Sequence, residues 1–136
     1  MEIINFKEQI LARLSQAKET LNDSFILVEQ GSFRSSINRS YYAMFYSAQA
    51  LLYLTESKKS KHTGVIEVFD KYFVKEGVFP KHLSKKLHNA FDVRNFTDYH
   101  DMANIDEKKT KDILADANEF VIAIEKYFID SYSIFL

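Results

Sequence analysis

From Phe33 to Thr55, apolar side chains cover almost the whole circumference of a helix, and no other feature constrains the fold of this chain as strongly. At helical spacing Ile37, Tyr41, Phe45, Ala48 and Leu52 make one stripe, which Ala43, Met44, Ala50, Leu51 and Leu54 widen. A helix this apolar leaves water only when other helices surround it. The segment therefore predicts the centre of a bundle. Another face of it, made of Arg39, Tyr42, Tyr46, Gln49 and Tyr53, ends in polar atoms and reads as packing with wet tips, suited to lining a cleft.

The flanking segments supply the surround. Residues Ile3 to Glu29 place Phe6, Ile10, Leu14, Ala17, Leu21, Phe25 and Val28 on one amphipathic stripe. Gly31 then ends the helix, and Ser32 is expected to cap the next one. Glu56 to Lys61 reads as a charged, solvated loop, and His62 beside Lys58, Lys59 and Lys61 is read as part of it. A short helix carries Val65, Val68, Phe69, Tyr72 and Phe73 and stops at Gly77. Pro80 opens a further helix, buried along Leu83, Leu87, Ala90 and Phe91. Residues 97–105 read as a polar connection before a last helix begins near Asp106, with Ile113, Leu114, Ala117, Val121, Ile124 and Phe128 at helical spacing. With 3 Gly and 1 Pro there is little material for tight turns, which argues against an all-β fold, while 12 Phe and 8 Tyr supply core bulk. The expected architecture is all-α: an up-and-down bundle of four long helices plus one short helix, forming one domain over residues 1–136.

Several function classes drop out. Without cysteine there is no disulfide framework and no thiolate zinc site, and a cytoplasmic location is expected. The opening Met-Glu-Ile-Ile-Asn lacks the pattern of a signal peptide, and no apolar run reaches the roughly 20 residues that span a bilayer, so no membrane role is expected. The 4 histidines lack metal-site spacing and no glycine-rich phosphate loop exists, so no metal or other cofactor is implied. A formal net charge of -1 means that any RNA contact must come from a local patch.

Arg94 continues the buried stripe of the Pro80 helix, where a guanidinium must be paired or open to a cleft. His100 follows six positions on, about 240° around an ideal helix, so the two meet only if the chain turns near Thr97 or if two copies bring their segments together. Such a pair suits phosphodiester cleavage in RNA. Histidine moves protons near neutrality, and arginine holds the phosphate and its growing charge. The structural alternative pairs Arg94 with Asp98 or another acid and leaves His100 on the surface. Arg39 is open to the same two readings, a phosphate contact or, as favoured, a buried ion pair. Lys81, Lys85 and His88 share one helix face and form the best candidate RNA-docking patch.

The run R-S-Y-Y-A-M-F-Y at 39–46 with A-Q-A-L-L at 48–52, supported by K-H-T-G-V at 61–65 and R-N-F-T-D-Y at 94–99, resembles the HEPN family of small helical domains. The resemblance covers most of the chain. It implies a metal-independent ribonuclease whose motif is an arginine, a polar residue and a histidine, here Arg94, Asn95 and His100. It further implies a homodimer sharing one cleft and, in prokaryotic members, a toxin paired with a small nucleotidyltransferase antitoxin. Two departures bear on this. Met102 stands where one toxin branch carries a tyrosine that the antitoxin modifies. The chain also resembles a branch marked by an arginine and an Asp-Tyr pair, here Arg94 with Asp98 and Tyr99, in which the histidine is dispensable. The alternative function is a non-catalytic bundle that binds a nucleotidyltransferase or a nucleotide.

Overall fold

The computed structural model describes residues 6–99 and 105–134. Five α-helices account for most of them: α1 (Lys7–Glu29), α2 (Phe33–Leu52), α3 (His62–Phe69), α4 (Lys81–Tyr99) and α5 (Glu107–Tyr132). Four are long and α3 is short, as the periodicity predicts. Among the described residues there is no strand, and no helix is long and apolar enough to cross a membrane.

Helix α2 is the axis. Twelve of its residues are buried, from Ser36 to Leu52, and it packs against α1, α3, α4 and α5. Around it Ile10, Leu14, Leu83, Leu87, Ala117, Phe120, Ile124 and Phe128 complete the core. The predicted end at Thr55 is too late. After Leu52 the chain tightens into i→i−3 bonds from Tyr53, Leu54 and Thr55, a common way to use up terminal carbonyls.

The seam between α1 and α2 departs from the expected stripe. Phe25 is 53% exposed, and Ser24 beside it is buried instead. Ser24 Oγ donates to the Ser36 carbonyl at 2.8 Å and lies 2.6 Å from Ser40 Oγ, while Ser36 Oγ donates to the Ser24 carbonyl at 2.9 Å. Small hydroxyl side chains let the two backbones approach, and reciprocal bonding removes the cost of burying them. Helix α1 then closes in a Schellman turn: Gly31 adopts φ 77°, Ser32 N–H donates to the Leu27 carbonyl, and Gly31 N–H donates to that of Val28. Ser32 takes the N-cap position of α2 but makes no side-chain cap bond, contrary to expectation. A Cβ added at Gly31 would touch nothing within 4 Å, so Gly31→Ala tests backbone strain alone. It is expected to lower stability by about 1 kcal/mol in denaturant unfolding, and no change would refute the strained turn.

Two further departures shape the surface near α4. Helix α3 runs on into a π-helical turn, Asp70–Val74, closed by Lys75 N–H donating to the Asp70 carbonyl. The turn presents Asp70 to α4, where it receives a hydrogen bond from Ser84 at 2.6 Å and lies 2.6 Å from His88 Nε2. The segment 97–99, expected in a polar connection, instead completes α4. Thr97 is buried there, its hydroxyl donating to the Arg94 carbonyl and its own carbonyl accepting from Arg34.

Candidate functional site

The site is built where α2, α3 and α4 meet. Successive residues of α2, Tyr41 and Tyr42, project toward α4 and the start of α3 because the central helix has partners on nearly every side. Arg94, one turn beyond buried Ala90 on α4, reaches across to them. Its Nη2 donates to the Tyr42 hydroxyl at 3.1 Å and its Nη1 to Asn95 Oδ1 at 3.0 Å. Its Nε lies 2.9 Å from Asp98 Oδ2, a charge contact without hydrogen-bond alignment. The guanidinium carbon is 5.2 Å from the Tyr42 ring centre and 5.8 Å from that of Tyr41, within cation–π range. Only 17% of the Arg94 side chain remains exposed, against 27% for Asp98. A guanidinium carries five N–H donors, so among the described residues Nη1 and Nη2 each keep one N–H unspent.

His62 belongs to this cluster, which corrects its reading as a solvated loop residue. It is the first residue of α3, half-buried, with its ring stacked on Phe45 at 4.4 Å and near Phe91 at 6.2 Å. Its Nδ1 lies 2.7 Å from the Tyr41 hydroxyl and its Nε2 3.4 Å from that of Tyr42. Burial, and secondly the Arg94 charge, holds its pKa below the usual 6.5. A neutral ring offers one donor and one acceptor. Arg94 donates a hydrogen bond to the Tyr42 oxygen, and Tyr42 in turn can donate its O–H to Nε2, leaving Nδ1–H to donate to Tyr41. Burial raises the Tyr41 phenol's pKa well above its normal range, opposed by Arg94, so Tyr41 keeps its proton. The missed signal was K-H-T-G-V itself: within it His62 starts a helix that points its first turn inward.

A neutral, half-buried histidine has a sign-definite consequence. Its folded pKa is depressed, so the unfolded chain binds the proton first as pH falls below about 6.5, and stability drops there. His62→Asn is expected to flatten the acid side of the melting-temperature profile between pH 5 and 7 relative to wild type. Parallel profiles would place the ring outside the cluster.

Arg39 approaches the same phenol, its guanidinium carbon 5.0 Å from the Tyr42 ring centre. The buried ion pair expected of it is not formed: among the described residues no carboxylate pairs with Arg39, whose Nε and Nη2 donate to Asn38 Oδ1. Of the residues singled out in the sequence, Arg94, Asn95 and Asp98 come together, while Tyr99 ends α4 at 79% exposure. Lys81 and Lys85 are exposed near the other end of α4, with Lys81 about 20 Å away at 1.5 Å per residue. The His88 ring is taken up by Asp70. His100 lies outside the described residues, as does Met102. Among the described residues no group of three or more His, Cys, Asp or Glu side chains could hold a metal ion.

The molecule is thus an all-helical bundle whose α4 arginine reaches buried Tyr41 and half-buried Tyr42 of its central helix. The HEPN domain profile matches residues 10–127, so this chain belongs to the HEPN family. A Thermotoga maritima protein named "UPF0332 protein" is 37% identical over 93% of this chain and 97% of its own length. A Methanocaldococcus jannaschii protein named "Putative toxin MJ0605" is 34% identical over 90% of each chain. A second protein of that organism, "Putative toxin MJ0142", is 27% identical over 93% of this chain and 86% of its own.

Proposed function

We propose that this chain is a metal-independent endoribonuclease, a cytosolic toxin that acts as a homodimer and is restrained by a nucleotidyltransferase antitoxin. One observation carries the reading: Arg94 is held nearly buried by Tyr42, Asn95 and Asp98, yet among the described residues keeps N–H donors unspent. A guanidinium fixed in this way is preorganised for an anion and need not reorganise as charge builds. In this reading Arg94 binds the scissile phosphate. His100, following α4, takes the ribose 2′-hydroxyl proton, O2′ attacks phosphorus, and the 5′ oxygen leaves with a proton from the partner subunit's copy of that histidine. Products are a 2′,3′-cyclic phosphate and a 5′-hydroxyl. The toxin names carried by the two archaeal relatives support this reading.

One observation favours a second reading. Asp98 already offsets the Arg94 charge, which suits a bundle that binds a nucleotidyltransferase or nucleotide without cleaving RNA. Incubation with structured and single-stranded RNA in EDTA separates the two. Cleavage by wild type leaving cyclic phosphate ends, and its loss in His100→Ala, is the expected result. Intact RNA after exposure to well-folded dimer overturns the ribonuclease and leaves the binding module.

A further inference from the structure

We infer that Arg39 and Arg94 form one clamp for a phosphate group, both resting on the Tyr42 ring. The inference rests on the reading of this cleft as an RNA site and adds a residue to it from a different helix. Arg39 comes from α2 and Arg94 from α4, yet their guanidinium carbons stand 5.0 and 5.2 Å from the same ring centre. Two like charges gathered at one phenol repel each other, and Asp98 is their one ion-pair partner among the described residues. Among the described residues the imidazole at this ring is His62, which burial and secondly Arg94 hold below its usual pKa, so it adds no positive charge at neutral pH. Among the described residues, one positive charge of the pair is thus left without an acid. A phosphate supplies the missing charge and accepts from both planar forks.

The ring explains how two like charges stay together. Its face stabilises each cation, and its hydroxyl accepts from Arg94 Nη2 and lies near His62 Nε2. Among the described residues Arg39 donates only to the neutral Asn38 amide oxygen on its own helix, a partner that orients the fork without neutralising it. Half-buried Arg39 and Tyr42 keep part of their surface open to a ligand.

The test measures binding, so that cleavage is not needed. The probes are a fluorescein-labelled RNA oligonucleotide with every 2′-hydroxyl methylated, which cannot undergo the reaction, and ATP as a free nucleotide. Wild type is expected to bind the oligonucleotide. Arg39→Gln is expected to bind about tenfold more weakly, the order for one charge-assisted contact. Its salt dependence should fall by about 0.7 in log–log slope, the value for one single-strand phosphate. Arg39→Lys keeps the charge but not the fork, and should bind more weakly with the wild-type slope. That variant decides the matter if Arg39→Gln fails to fold. Unchanged affinity in either variant, or no binding of either probe by wild type, overturns the clamp. Arg39-dependent binding with no cleavage in EDTA upholds the clamp and removes the ribonuclease reading. The same dependence seen with ATP alone upholds the clamp and makes a free nucleotide its ligand.

Discussion

Arg94→Ala is expected to lower RNA cleavage by about 100- to 1000-fold, the range for losing one preorganised donor to a developing anion. The protein should remain folded. Arg94 is tied to Tyr42, Asn95 and Asp98 by polar contacts near the surface, and the adjoining core of Ala90, Leu87 and Leu83 is untouched. Asp98, with 27% of its side chain exposed, can be solvated once its partner has gone. Arg94→Lys should recover little, because an ammonium on a flexible stem cannot meet Tyr42, Asn95 and a phosphate at once. Cleavage rates at matched melting temperature give the answer, and a rate within a few fold of wild type would remove Arg94 from the chemistry.

The largest effect on stability is expected from Phe120→Ala, a loss of about 3–5 kcal/mol. Phe120 is fully buried in α5, with its ring centre 5.1 Å from that of Phe69. Removing the ring takes away transferred apolar area, an aromatic pair and the contacts that fill the space between α3 and α5. For a chain of this size the melting temperature should fall by roughly 10 °C or more. Ile122, two residues on and 53% exposed, supplies the control: Ile122→Ala should stay within about 0.5 kcal/mol. Equal losses at the two positions would mean that α5 is not seated as described.

These two positions differ in how far the sequence alone reveals them. The burial of the α5 face follows from period, since Ile113, Ala117, Ile124 and Phe128 recur every third or fourth residue and Phe120 falls in that register. The same reasoning fails at Ser24. Its neighbour Phe25 fits the apolar template, yet the serine faces α2, because Ser36 and Ser40 there answer its hydroxyl. A pattern of apolar residues cannot register a polar seam whose partners lie 12 and 16 residues away. The end of α4 shows the same limit. Residues 97–99 are polar, but Arg34 from α2 accepts the role of holding the Thr97 carbonyl, and the helix continues to Tyr99.

For the site, sequence singles out Arg94 with Asn95 and, as the structural alternative, Arg94 paired with Asp98, three residues that the structure brings together near the end of α4. It also separated the two tyrosine faces of α2. It misplaced His62 and misread Arg39. The charged neighbours of His62 suggest a solvated loop, whereas four aromatic residues from two other helices enclose its ring. Arg39 looked like one half of a buried ion pair, and the acid that would have paired with it is missing among the described residues.

By itself, then, the sequence determined the number and order of the helices, most of their inward faces, and that the second of them must be the axis. Helical period and apolar coverage are local properties, and each helix carries its own. Only the tertiary structure decided that Arg39, Tyr42, His62 and Arg94 form one cluster. The hydrogen bond from Arg94 to Tyr42 spans 52 residues, and such a contact depends on how three helices cross, which no window of sequence contains.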